Sequence, residues 1–90
     1  MYEIKPSNRF KKDIRLAKKR GYDINILMDV IRKLANGEIL DVKHKDHELE
    51  GNYKGFRECH VTPDWSLIYQ IIDNELILYL SRTGTHRDLF

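Results

Sequence analysis

A single cysteine in ninety residues leaves Cys59 with no internal disulfide partner, and one thiolate cannot build a zinc–thiolate centre. Two prolines and five glycines are too few for a collagen-like or low-complexity chain. Long hydrophobic runs are missing as well. The longest, around Leu67 to Ile72 and Leu76 to Leu80, are strand-sized and far short of a membrane span. The opening residues, MYEIKPSNRF, contain no apolar stretch of the kind a signal peptide needs. The expectation is one cytoplasmic domain over residues 1–90, with no membrane contact. Its 41% hydrophobic and 33% charged residues describe an ordinary folded chain. A domain of this size buries roughly 60–65% of the surface its unfolded chain exposes, so it often draws stability from a partner.

The net charge of +2 conceals an asymmetry. Residues 1–20 hold eight basic groups against Glu3 and Asp13, a balance of +6, and the other seventy residues balance to −4. Lys11, Lys12, Arg15, Lys18 and Lys19 dominate the basic segment. Such a segment suits a polyanion or an acidic protein partner, and it also suits a solvated helix face.

Tyr2 to Lys5 reads as a short strand ended by Pro6, which has no N–H to donate. Ser7 is placed to cap a helix to about Arg20, with Phe10, Ile14 and Ala17 on one face and Gly21 closing it. Asp23 caps a second helix whose Leu27, Val30, Ile31 and Leu34 form an apolar stripe, ended by Asn36-Gly37. Short-linked helices of this kind form an antiparallel pair. From residue 53 the hydrophobic period changes to two. Strands are expected at Phe56 to Val61, Trp65 to Ile72 and Glu75 to Ser81, joined by Thr62-Pro63-Asp64 and by Asp73-Asn74.

A two-residue loop at Asp73-Asn74 sets Ile72 opposite Glu75, Tyr69 opposite Leu78, and Trp65 opposite Arg82. One sheet face then carries Leu67, Tyr69, Ile71, Leu76, Leu78 and Leu80 and takes the two helices. The other carries Ser66, Ile68, Gln70, Ile77, Tyr79 and Ser81 and is partly wet. The fold class is α+β, in the order β-α-α-β-β-β, with the first strand joining the sheet beside the last.

The four histidines all lie from residue 44 onward. His44 reads as structural. His60 ends a strand four residues before Asp64, Trp65 opens the next, and the expected Trp65–Arg82 pairing carries Arg82 and then His86 to the same rim. His47 lies in the polar loop from His44 to Gly51. Histidine titrates near neutrality, a carboxylate such as Asp64 can orient it, and Arg82 can neutralise a phosphorane. Cleaving RNA with its own 2′-hydroxyl needs only such a base, acid and cation, so no metal or other cofactor is required. A zinc site from His47, His60, His86 and Asp64 has no short ligand spacing behind it. Each histidine could equally be a satisfied structural residue. Trp65 fits core or rim packing, or a base-stacking platform. Phe90, at a chain end that would ordinarily fray, could stack on a nucleobase. Cys59 alternates with His60 and so faces the core.

Four stretches in order carry a resemblance. They are Lys45-Asp46-His47-Glu48-Leu49-Glu50-Gly51, Gly55-Phe56-Arg57-Glu58-Cys59-His60, Asp64-Trp65-Ser66-Leu67-Ile68-Tyr69, and Arg82-Thr83-Gly84-Thr85-His86-Arg87-Asp88-Leu89-Phe90. Together they resemble the YafQ branch of the RelE/ParE toxin superfamily, and the strand–helix–helix layout before them fits that fold. Glu48 stands where the family commonly has proline, Ser66 replaces a usual aliphatic residue, and Arg87 a usual small one.

The resemblance implies a RelE-like fold and the toxin of a type II toxin–antitoxin pair, an endoribonuclease that cuts mRNA in the ribosomal A site. By matching motif positions it implies His47, His60, Asp64 and His86 as the catalytic set, Arg82 as the transition-state cation, and Trp65 and Phe90 as nucleotide contacts. His86 is then the candidate acid, and Asp64, His47 or His60 the base. Lys11, Lys12, Arg15, Lys18 and Lys19 would meet rRNA phosphate on the 70S ribosome. The implied protein partner is a RelB- or DinJ-like antitoxin in a hetero-oligomer, masking part of the basic surface. A ParE-like gyrase inhibitor and a non-catalytic RNA- or antitoxin-binding relative are the alternatives.

Overall fold

Ser7 marks the switch from strand to helix. Its side chain accepts from the Phe10 N–H, capping the first turn of a helix, and its hydroxyl donates to the Ser81 carbonyl across the domain. In the computed structural model, which describes residues 1–90, the elements are β1 (Glu3–Pro6), α1 (Asn8–Lys19), α2 (Ile24–Ala35), β2 (His47–Glu48), β3 (Arg57–Thr62), β4 (Trp65–Ile72), β5 (Ile77–Gly84) and α3 (His86–Leu89). Gly21, at φ 80°, turns the chain out of α1, and the Tyr22 N–H bonds back to the Ala17 carbonyl at 3.0 Å. Asp23 caps α2 as expected, through the Asn25 N–H.

The sheet runs β1-β5-β4-β3-β2, with β1 parallel to β5 and every other pair antiparallel. β1 therefore joins beside the last strand, and as an edge strand it tolerates Pro6 at its end. Phe10 and Ala17 from α1 and Leu27, Val30, Ile31, Leu34 and Ala35 from α2 pack on Cys59, Val61, Trp65, Leu67, Tyr69, Leu78 and Leu80. Burial pushes the Cys59 thiol up to about 12, so it stays protonated and inert inside that layer.

Three features depart from the sequence-based expectation. β2 and α3 are too short for periodicity to reveal. The β4–β5 connection is a four-residue turn, Asp73 to Leu76, so Ile72 pairs with Ile77 and Tyr69 with Leu80. A slip of two residues keeps each side chain on its expected face, so Leu78 and Leu80 remain inside and only Leu76 is lost, 59% exposed. The third departure is a bulge at Ser81. Beyond it Ile68 pairs with Arg82 and Leu67 with Thr83, and the expected Trp65–Arg82 pairing does not form. One extra residue exchanges faces. Arg82 is thereby moved to the face opposite the helices, and Thr83 is placed beneath them.

Leu76 occupies the left-handed region at φ 53°, which an L-residue with a large side chain adopts at a cost of about 1–2 kcal/mol. Leu76→Gly is expected to gain about 1 kcal/mol in chemical denaturation, net of glycine's greater unfolded-state freedom. A loss of stability would show that the Leu76 side chain packs despite its exposure.

Candidate functional site

The face away from α1 and α2 is built in rows. His47, Glu58, Ile68 and Arg82 are successive cross-strand partners on β2, β3, β4 and β5, and His60, Ser66 and Gly84 form the next row. Strands lie about 4.8 Å apart, so His47 and Arg82 are separated by about 14 Å along their row, with His60 one step beyond. α3 starts two residues after Gly84 and sets His86 past the end of the second row. Over this face fold Tyr53, Phe56 and Phe90, whose rings meet Tyr53–Phe56 at 6.3 Å and Tyr53–Phe90 at 5.5 Å, with Phe56–Tyr79 at 6.4 Å. Ile68 and Leu89 are buried outside the main core cluster, consistent with this cover.

The polar groups are held individually. His47 Nδ1 donates to the Lys45 carbonyl at 2.6 Å, and its Nε2 lies 3.1 Å from Oε1 of buried Glu58. The strand bearing it is only two residues long, and Asp46 anchors it by accepting from Tyr69 at 2.6 Å and from Arg57 at 3.3 Å. Neither ring nitrogen of His60 is engaged by a protein group; its carbonyl accepts from buried His44 at 2.6 Å, which gives His44 the structural role expected of it. His86 is exposed and stacks on Phe90 at 4.8 Å and 30°. Phe90 is itself 52% exposed, so part of its ring is open to a flat ligand.

Arg82 is fixed from the opposite layer. β1 pairs with β5 only as far as Pro6–Leu80, and beyond that point the guanidinium reaches Asp13 of α1, at 2.8 Å from Nε and 3.2 Å from Nη2. The same carboxylate accepts from the Thr83 N–H at 3.1 Å. Its hydrogen bonds raise the already high pKa of Arg82, which stays charged. Asp88 is held well below the ordinary carboxylate value by the Arg20 guanidinium and then by the Thr85 N–H.

Two expected residues sit elsewhere. Trp65 is 3% exposed, its ring 5.0 Å from Tyr22 and its N–H donated to Thr83 Oγ1 at 2.8 Å. The ring is buried and its donor is taken, so it supports the site and presents no open face to a base. Asp64 is exposed in the β3–β4 turn and borders a hollow lined by Tyr22, Asp23 and Ile26, two residues from the row that carries His60. Lys11, Lys12, Arg15, Lys18 and Lys19 are all exposed on α1.

Sequence reasoning overlooked Asp13 and Glu58. Asp13 lies three residues after Phe10 and four before Ala17, so it occupies the buried stripe of an otherwise cationic helix. A lone acid there is a legible signal of a buried partner. Glu58 has no such mark, because only the pairing of a two-residue strand brings His47 to it.

Two outcomes check this description. Asp13→Ala leaves the part-buried Arg82 cation and the buried Thr83 N–H without their partner and is expected to cost about 3 kcal/mol by chemical denaturation, with a loss under about 1 kcal/mol contradicting it. Asp88 has a depressed folded-state value, so its contribution is complete above the unfolded value of 3.8 and is lost as pH falls through the lowered one. The difference in thermal midpoint between wild type and Asp88→Asn should hold constant from neutrality to about pH 5 and shrink in stronger acid.

A family model described as a bacterial toxin of type II toxin–antitoxin system, YafQ, matches residues 2–90. The mRNA interferase toxin YafQ of Escherichia coli strain K12 is 44% identical over 89 residues, 98% of this chain and 95% of its own. The crystal structure of YafQ from E. coli strain BL21(DE3) superposes with a TM-score of 0.92 at 42% identity, covering 100% of this chain and 99% of that one. A chain in the crystal structure of the E. coli DinJ–YafQ complex does so with a TM-score of 0.91 at 43% identity, again over 100% and 99%.

Proposed function

This chain belongs to the YafQ family of type II toxin–antitoxin toxins, and from that premise we propose that it is an endoribonuclease cutting messenger RNA in the ribosomal A site. The observation that carries the reading is the sheet face on which His47, His60 and Arg82 share neighbouring rows, with His86 and Phe90 at their end. The curated relatives named mRNA interferase toxin support the enzyme class, and the DinJ–YafQ complex supports a DinJ-like antitoxin as partner.

The reaction needs two proton movements and charge stabilisation. A base takes the proton of the 2′-hydroxyl, whose oxygen attacks the adjacent phosphorus. The bond from phosphorus to the 5′-oxygen breaks, and an acid supplies that oxygen with a proton, leaving a cyclic phosphate and a 5′-hydroxyl. His60 suits the base, since its ring nitrogens are uncommitted, and Asp64, exposed in the turn four residues on, is the other candidate for that role. His86 suits the acid, being exposed and stacked on Phe90, which can pack on the neighbouring base. Arg82 supplies fixed positive charge for the phosphorane, pre-oriented by Asp13. His47 has both ring nitrogens engaged, by Lys45 and Glu58, and would take a phosphate oxygen or the ribose by exchanging Glu58 for it at Nε2. The lysines and Arg15 on the outer face of α1 suit rRNA phosphate, through counterion release.

The test is wild-type protein and His86→Ala on programmed ribosomes, with mRNA 5′ ends mapped by primer extension. Discrete A-site cuts are expected from wild type. His86→Ala should lower kcat by about 10²–10⁴-fold with ribosome binding retained. Folded wild-type protein that leaves the message intact would overturn the ribonuclease and direct attention to gyrase inhibition.

A further inference from the structure

α3 carries His86, with Phe90 as its C-cap, yet it is four residues long. A helix so short has no stability of its own and holds its place only where it is tied down. The ties converge on Asp88. Its Oδ2 accepts from the Thr85 N–H at 2.9 Å while its own N–H donates to Thr85 Oγ1 at 3.2 Å, a reciprocal cap. The same carboxylate accepts both arms of the Arg20 guanidinium, at 2.6 and 3.2 Å. Gly84 makes the approach possible, since a Cβ there would lie 2.9 Å from Asp88 Oδ2. Leu89 is buried beside this group, and its carbonyl accepts from the Tyr53 hydroxyl at 3.3 Å.

Arg20 stands apart from the other cations of the N-terminal segment. Lys11, Lys12, Arg15, Lys18 and Lys19 are exposed and form no ion pair, whereas Arg20 is committed to a carboxylate. It also follows Asp13 by seven residues, which on a helix is two turns, about 10.5 Å along one stripe. That stripe holds Arg82 through a carboxylate and α3 through a guanidinium. A planar fork suits the second task, because it fixes direction as well as distance, and an ammonium would fix only distance.

We propose that Arg20 is a positioning residue for the cleavage reaction: by clamping Asp88 it sets the His86 imidazole and the Phe90 ring at a defined place relative to Arg82. This rests on the reading that His86 acts in RNA cleavage. Arg20 itself touches neither substrate nor reacting atoms.

The experiment compares Arg20→Ala, Arg20→Lys and Lys18→Ala, the last removing a nearby charge without touching the clamp. kcat and KM are measured on programmed ribosomes, together with thermal midpoint and the ring-current shift that Phe90 imposes on the His86 ring. Arg20→Ala is expected to lower kcat by about 10–100-fold, as a misplaced catalytic group does, with KM little changed. The His86 ring-current shift should collapse, and Arg20→Lys should restore part of both. Lys18→Ala should affect KM alone. Arg20→Ala that raises KM with kcat intact would overturn the proposal and assign Arg20 to phosphate binding. An unaltered ring-current shift would overturn the clamp whatever the kinetics. Wild-type protein that cuts no RNA would defeat the ribonuclease reading by itself, and the ring-current comparison would still decide whether Arg20 orders α3.

Discussion

The carboxylate of Asp13 joins the two layers of this domain at the point where the sheet changes character. It is buried, it accepts from Nε and Nη2 of Arg82, and it accepts the Thr83 N–H, so one side chain serves a cation and a backbone donor. A buried carboxylate persists only when so matched. Thr83 continues the arrangement, receiving the Trp65 N–H and donating to the Ser66 carbonyl at 2.7 Å. Helix α1, the bulged end of β5 and the start of β4 are thereby locked in one relation.

That lock depends on the bulge at Ser81. Without it, alternation along β5 would set Arg82 beneath the helices and Thr83 on the open face. The extra residue reverses both, so the open face acquires a cation and the core a small residue able to bond in two directions. The sheet is left with one face packed beneath the helices and one that carries the candidate site. That second face is sheltered by Tyr53, Phe56 and Phe90 yet stays open around His60 and His86.

Helix α1 has two functions on two sides. Its exposed lysines form a basic surface, while buried Asp13 and surface-exposed Arg20 are each committed to a partner of opposite charge elsewhere in the fold. Read as a charge total, the segment seems uniform. Its ion pairs to the rest of the fold and its exterior field are separate physical devices, the first short-ranged and directional, the second long-ranged and screened by salt.

Much of this was legible in the chain. The Ser7 and Asp23 caps, the Leu27–Leu34 stripe and the alternation of β4 are local patterns, and local sterics and hydrogen bonding decide them. The motifs around His47, His60, Asp64 and His86 likewise marked a family, because residue types in order survive without coordinates. The partners of those residues were not legible. Glu58 beside His47, Asp13 beside Arg82 and Arg20 beside Asp88 join positions 11 to 69 residues apart, and the burial of Trp65 depends on Tyr22 and Thr83. The places of Arg82 and Thr83 follow from the β4–β5 register, which turned on a four-residue turn and the bulge at Ser81, whereas Glu58 meets His47 through the two-residue β2. Periodicity cannot report the length of the turn, since a pattern of period two reads the same after a slip of two residues. The chain by itself determined which elements form and which chemistry they carry; tertiary pairing alone decided which face each group reached and what held it there.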